Sequence, residues 1–417
     1  MVGIIIGAGI FLVPSDVARS LPSTPWILAV WIAAGILSFF GALAFAEMGA
    51  AMPATGGQYI FLREAFGPLW SFLCGWTFLL VSMTASMAWL AVSFCRYLGY
   101  FIPLDPWQAK GVALALTFAL TYINHRGVMF GAWVQKVFTA AKLLGILVLV
   151  IAAFTLRPAA QAPVSIEAPV AFRFADFGVA MIACLLAYDG WVNVSFVAGE
   201  IREPKKNMLL ALFIGVAIAM ALYLSANAGY LLVLSPAELA KTERVGATVA
   251  ERTMGSIGGA LVSATILLSV IGSLNGRFMT QARVYFAQAQ DGLFFQAFAR
   301  VHPEYRTPSF SLWVQAAWAS VLIATGTYEY LIDYALFAIW LFYAITVAGL
   351  FVLRRKFPDL DRPYRMWGYP VTPALFVLVA GWFVVNTAIE RPLPSLTALG
   401  LIALGFPAYW FWASRRV

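Results

Sequence analysis

Apolar runs of about twenty residues, the length a helix needs to cross the hydrocarbon of a bilayer, recur from one end of this chain to the other. In that medium a backbone must satisfy its own hydrogen bonds, and helices do so. The runs predict twelve spans, near 1–20, 26–51, 67–97, 107–124, 128–155, 176–199, 207–234, 256–287, 309–325, 330–353, 370–389 and 396–413. Composition agrees: 62% of the 417 residues are hydrophobic and 11% are charged, against roughly 25% charged in a soluble fold. The expected fold is therefore all-α and polytopic, with no soluble domain, and its longest external connections fall near 156–175 and 235–255.

The formal net charge of +8 is spread over short connections rather than gathered on one face. That pattern orients a protein in an anionic lipid bilayer and does not suit nucleic acid. Lys and Arg are most numerous in the connections after even-numbered spans, above all in Arg354, Arg355, Lys356, Arg362 and Arg365. The expectation is a multi-pass protein of the plasma membrane with both termini cytoplasmic. Cys74, Cys95 and Cys184 fall inside apolar runs and read as core residues without a disulfide framework. His125 and His302 are far apart in sequence and no metal-ligand spacing occurs, so no metal and no cofactor is expected. No nucleophile–base pair or intramembrane carboxylate pair emerges either. No catalytic residue is assigned.

Two spans are interrupted. The first carries Gly7-Ala8-Gly9, flanked by Gly3 and Pro14, and only about a dozen apolar residues precede that proline; a full span takes about 20. This reads as a shortened first helix or a late start. Apolar sequence from Met1 onward, without a basic leader, is not the pattern of a cleavable signal peptide. The sixth span carries Tyr188-Asp189-Gly190-Trp191. Broken helices at corresponding places in two halves mark the substrate site of many transporters. Five spans per half place the second half upside down, so the expected architecture is an inverted 5+5 repeat with broken helices 1 and 6. Repeat one covers about 1–155, repeat two about 176–353, and two appended helices about 370–413.

Gly7, Ala8, Gly9 and Ile10 have two readings: small residues for close helix packing, or backbone N–H groups offered to a substrate carboxylate. Asp189 can cap the second half of span six, or attract an ammonium group beside Gly190. Carbonyls freed at Leu186, Ala187 and Tyr188 would accept from the same ammonium. Tyr188 and Trp191 line or cover a cavity, or are ordinary core aromatics. Lys142 lies deep in span five, where a charge needs a cavity or a partner, and reads as an ammonium held by carbonyls of a broken helix. Arg277 is expected to snorkel to the interface. Glu47 and Glu200 fall at the cytoplasmic ends of their spans, near Arg63 and Arg202, and read equally as members of interfacial charge pairs or as elements of a cytosolic gate. Ser82, Ser86, Ser273 and Asn275 read as pocket groups or as interhelical hydrogen-bonding groups.

Several stretches together resemble the amino acid–polyamine–organocation superfamily, in particular its L-type amino acid transporter branch. They are VGIIIGAGIFLVPSDV (2–17), AEMGAAMPATGGQYIFLREAFGPLWSFLCGW (46–76), VQKVFTAAKLLGI (134–146), AYDGWVN (187–193) followed by GEIREPKKN, and GSLNGRFMTQARVYFAQAQDGLFF (272–295). The resemblance implies a carrier of neutral amino acids with the substrate carboxylate at Gly7, Ala8 and Gly9. It implies the α-amino group at carbonyls near Ile4, Ile5, Leu186 and Ala187. It also implies that Lys142 bridges the first helix and span eight, making transport independent of sodium, and that the carrier exchanges. Ala8 stands where serine is usual, Leu186 where an aromatic gate is common, and the first half-helix is short. The connection 97–106 lacks the cysteine by which animal relatives attach a glycoprotein, so no disulfide-linked accessory subunit is expected. The resulting expectation is sodium-independent exchange of small neutral L-amino acids by alternating access. The alternatives are a proton-coupled symporter, with Lys142 exchanging the proton, and a carrier of cationic amino acids or polyamines, with Asp189 as counter-charge.

Overall fold

A computed structural model of the chain describes residues 1–156, 173–326 and 328–415. Most of the expected connection at 156–175, with Arg157, and Arg416 near the C-terminus lie outside the described residues. Every regular element among the described residues is helical. The first span is two helices, α1 (Val2–Ile5) and α2 (Gly9–Ser20). Then come α3 (Thr24–Ala51), the short α4 (Gln58–Phe66), and a third span made of α5 (Pro68–Thr77), a π-helical segment (Phe78–Ser82) and α6 (Met83–Leu98). The fourth and fifth spans are α7 (Pro106–His125) and α8 (Val128–Thr155). The sixth is broken into α9 (Phe174–Tyr188) and α10 (Asn193–Phe196), and the seventh is α11 (Pro204–Val233). After the small α12 (Pro236–Lys241) runs α13 (Val245–Gln290), and then α14 (Ser309–Thr325), α15 (Tyr328–Lys356), α16 (Val371–Glu390), α17 (Pro392–Ala403) and α18 (Gly405–Ala413).

Eight of these stretches are long and apolar enough to cross a membrane on their own: α3, the α5–α6 run, α8, α11, α13, α15, α16, and α17 with α18. The remaining spans are the two broken ones, α7, and the shorter apolar α14. The face of the bundle that carries the Glu47–Arg354 and Arg63–Asp291 pairs is called the inner face below.

Local chemistry explains the boundaries. Asp105 accepts from the N–H of Trp107 and Gln108 while Gln108 returns a bond to the Asp105 N–H, and Pro106 opens the helix, so α7 begins there. Ser235 and Glu238 form the same reciprocal cap on α12. The expected external connection at 235–255 is thus largely helical, holding α12 and the first turns of α13. Gly255, at φ 74°, separates those turns from the part of α13 that crosses the membrane. The helix α4 was not expected, because its nine residues are too few for a clear periodic signal.

Two groups of helices pack side by side. In one, α3 lies against α11 and α9, and α2 against α9. In the other, α13 lies along α8 and α6, with α14 against α6 and α7. Helix α1 touches α8, α11 and α13, so the first break sits where the two groups meet.

Candidate substrate site

The chain between α1 and α2 leaves the helix at Ile6 (φ −76°, ψ 93°) and re-enters at Gly9. Among the described residues, the N–H groups of Gly7, Ala8, Gly9 and Ile10 find no carbonyl partner; those of Phe11 and Leu12 both bond to Ala8 O. The break therefore ends in a small cluster of free donors at the start of α2, where the helix dipole is positive. The second break turns at Asp189 (ψ 149°) and Gly190 (φ 118°). The two breaks face each other closely. A Cβ on Gly190 would stand 3.2 Å from Ile4 O, and one on Gly9 would stand 2.7 Å from Ala187 Cα. Glycine is required at both places, for its positive φ at Gly190 and for backbone approach at Gly9.

Lys142, fully buried on α8, closes this junction. Its Nζ donates to Gly3 O at 2.8 Å, Ile6 O at 2.6 Å and Ser269 O at 2.8 Å, and lies 3.1 Å from Ser273 Oγ. Ser273 Oγ is also within 2.9 Å of Gly3 O and 2.8 Å of Ile6 O, and Ser269 Oγ within 3.2 Å of Ile6 O and Gly7 O. A single ammonium and two hydroxyls thus take up the carbonyls that unwinding exposes, joining α8, α13 and the first break. Without them those carbonyls would be stranded in a medium that cannot hydrate them.

The carbonyls expected to receive an α-amino group share another donor. Tyr223 of α11 lies with its hydroxyl 3.1 Å from Ile5 O and 2.9 Å from Ala187 O. Sequence reasoning missed Tyr223, because a tyrosine in a long apolar helix carries no signal that separates it from a packing aromatic. Ser269 was missed for a similar reason.

Asp189 is buried and fully engaged. Its Oδ1 accepts from Tyr343 Oη at 2.8 Å, and its Oδ2 is 2.9 Å from Arg277 Nη2. Arg277 therefore does not snorkel: its side chain is 4% exposed and turns inward to the break, because a carboxylate in the interior outbids the more distant interface. No side-chain cap of α10 by Asp189 forms.

The remaining candidates divide. Ile4, Ile5, Ala8, Ile10, Leu186 and Ala187 are buried at the two breaks. Tyr188 turns to α3 and α11, its hydroxyl 3.3 Å from Trp31 O and its ring against Trp31 and Tyr223. Trp191 packs between Phe45 and Tyr343, each ring centroid 5.0 Å away. Asn275 belongs to an amide network instead of the break: it accepts from Asn124 Nδ2 at 2.8 Å and donates to Gly131 O at 3.0 Å. Glu47 pairs with Arg354 and Arg362, and Glu200 with Arg283; Arg63 pairs with Asp291 and Glu64, so neither acid meets the partner expected from sequence. Ser82 and Ser86 are buried on the third span, Ser82 bonding back to Thr77 O at 3.4 Å. His125 and His302, distant in sequence, meet at a ring separation of 5.2 Å, and the described residues hold no group of three metal-ligating side chains.

The family described as amino acid permease matches residues 1–406. The chain belongs to the amino acid permease family. The permease is 31% identical to the serine/threonine exchanger SteT of Bacillus subtilis (strain 168), over 100% of its own length and 95% of that protein's. It is 31% identical to the b(0,+)-type amino acid transporter 1 of Homo sapiens, covering 94% of this chain and 81% of the relative. It is equally 31% identical to the large neutral amino acids transporter small subunit 2 of Homo sapiens, over 98% and 78%. The permease is thus a membrane transporter of amino acids and not an enzyme, of the L-type branch that its motifs resemble.

Proposed function

We propose that the permease exchanges small neutral L-amino acids across the plasma membrane by alternating access, without sodium. The observation that carries this reading is the Lys142 ammonium, bonded to Gly3 O, Ile6 O and Ser269 O. A covalently fixed cation at the first break fills the role that a dissociable coupling cation plays in transporters with carbonyl-lined ion sites. The substrate carboxylate meets the free N–H groups of Gly7, Ala8, Gly9 and Ile10. Its ammonium group shares the Ile5 and Ala187 carbonyls with the Tyr223 hydroxyl.

A neutral side chain is favoured over a cationic one because Asp189 already has its counter-charge, 2.9 Å away in Arg277. The whole-length similarity to a serine/threonine exchanger supports small substrates and exchange. The Lys- and Arg-rich inner face is the cytoplasmic one, which makes both termini cytoplasmic. Residues 1–155 and 176–353 are the two inverted repeats, with 370–413 appended. No disulfide-linked accessory subunit is required: Cys74, Cys95 and Cys184 are free and buried.

The test is uptake of labelled serine into proteoliposomes in sodium-free buffer, with vesicles either empty or preloaded with unlabelled amino acid. Exchange predicts uptake into preloaded vesicles only. Equal uptake into empty vesicles under a proton gradient would replace exchange by proton symport, and competition by arginine or putrescine would replace the neutral substrate class by a cationic one.

A further inference from the structure

Helix α13 carries polar side chains at Arg277, Gln281, Tyr285 and Gln288, all of them buried. Steps of four, four and three residues put them on one ridge of a helix. Among the described residues, seven of their polar atoms have no hydrogen-bond partner: Arg277 Nε and Nη1, both amide atoms of Gln281 and of Gln288, and the Tyr285 hydroxyl. Native interiors leave only a few such groups unpaired per hundred residues. A run of them, about 16 Å long at 1.5 Å per residue, points to a ligand that follows the ridge.

Beyond Arg277, which meets Asp189 of the second break, the ridge is not the face of α13 that meets the breaks. That face holds Ser269, bonded to the first break, Ser273, bonded to α1, Thr280, 2.9 Å from Asn193 Oδ1, and Arg283, paired with Glu200. At about 100° per residue the two faces are roughly 110° apart around the helix. The ridge faces α5 instead. A Cβ on Gly75 would collide with Gln288 Oε1. At its deep end is the Arg277–Asp189 pair. At its other end Gln288 stands three residues from Asp291, which sits at the inner surface with its side chain 19% exposed.

The chemistry of the set selects the ligand. An anion would satisfy the guanidinium, amide and hydroxyl donors and leave the oxygens of Gln281 and Gln288 stranded; a cation would do the reverse. Water donates and accepts, and is the ligand that such mixed buried groups hold. We propose that Arg277, Gln281, Tyr285 and Gln288 line a water-filled crevice, separate from the substrate path, by which water from the inner face reaches the Arg277–Asp189 pair.

Radiolytic hydroxyl-radical footprinting of the intact wild-type protein tests this, because radicals form at bound water. Tyr97 is the dry control: it is equally buried and donates to Phe11 O at 2.8 Å. Tyr285 is expected to be modified at least about tenfold faster than Tyr97, since only the former touches water. Modification of Tyr285 at or below the Tyr97 rate would overturn the proposal. The double variant Gln281→Leu, Gln288→Leu then tests the route. Tyr285 modification is expected to fall about tenfold as the ridge loses its polar partners for water, with wild-type exchange of labelled serine retained. Unchanged modification, or loss of exchange in a protein that still elutes as a single folded species, would show that water arrives elsewhere or that the ridge belongs to the substrate path. If the double variant does not fold, Gln288→Leu alone carries the same comparison.

Discussion

The ammonium of Lys142 shows how much one side chain decides here. It is the donor common to three carbonyls on two elements, Gly3 O and Ile6 O of the first break and Ser269 O of α13. Lys142→Ala leaves only the Ser269 and Ser273 hydroxyls on Gly3 O and Ile6 O and removes the charge-assisted bonds, worth about 1.5–3 kcal/mol each. Labelled-serine exchange is therefore expected to fall by at least about a hundredfold, since each 1.4 kcal/mol is a factor of about ten, while a retained rate within threefold would remove Lys142 from the mechanism. Arg277 is decisive in another way. Its Nη2 is 2.9 Å from Asp189 Oδ2, and both side chains are buried. Arg277→Met leaves a buried carboxylate without its partner, a loss of about 3–5 kcal/mol, and a substrate cation becomes the natural replacement. Arginine, inert against the wild type, is expected to inhibit serine uptake by the variant. If arginine inhibits neither protein, the pair does not set charge selectivity. The depth of Lys142 was legible in the sequence, since a lysine that far inside an apolar run has few options. The inward turn of Arg277 was not, because it depends on the rotation of α13 against a break 88 residues earlier in the chain.

At the scale of elements, both breaks were legible because their cause is local. Gly7, Gly9 and Gly190 sit in runs where a helix has no other reason to carry them, and the helices end within a residue or two of them. The contact between the breaks was not legible, since Gly9 meets Ala187 only through tertiary packing of α2 on α9. Gly9→Val forces those backbones apart and is expected to lower thermal stability by more than Gly99→Ala, whose added Cβ finds its nearest neighbour at 3.5 Å. Unfolding midpoints in detergent measure the difference, and equal midpoints would mean that α2 and α9 can separate freely. On the outer side, α12 carries its own acid-sensitive fastening. The Arg252 guanidinium, and then the Ser235 N–H, hold the Glu238 carboxyl down at about 2, from an ordinary value of 4.5. A lowered folded value means that the stabilising contribution is complete above about 4.5 and is lost as pH falls from there towards about 2. Amide protection in α12, taken relative to the intrinsic exchange rate at each pH, is expected to fall over that interval in the wild type. In Glu238→Gln it should be low and flat across the same range, and an unchanged pH profile in that variant would assign the fastening to another group.

At the scale of the whole molecule, ion pairs at the inner face tie together parts that the sequence keeps far apart. Glu47 on α3 receives Arg354 Nε at 2.8 Å and Nη2 at 2.6 Å across 307 residues, and the Met366 N–H at 2.7 Å. Arg362 Nε stands 3.6 Å away on its other side. Sequence proximity suggested Arg63 instead; pairing across helices is set by which inner ends the fold brings together, and no local pattern encodes it. Glu200 and Arg283 make a second such pair, at 2.8 Å, between the broken sixth span and α13. The two bonds look alike in distance and differ in surroundings. Glu47 is 1% exposed, so Glu47→Gln leaves Arg354 against a buried neutral amide and takes a bond from the Met366 N–H, at about 3–5 kcal/mol. Glu200 is 42% exposed and Arg283 4%, so water takes over at the carboxylate end while one guanidinium stays buried, a smaller loss than at Glu47 but more than that of an exposed pair. Glu47→Gln is therefore expected to lower the unfolding midpoint further than Glu200→Gln. The ranking separates a permanent fastening from one that can open: a transporter that rocks one group of helices against the other can break Glu200–Arg283 in each cycle and must carry Glu47–Arg354 through intact. Equal midpoints for the two variants would place both pairs among the contacts that open.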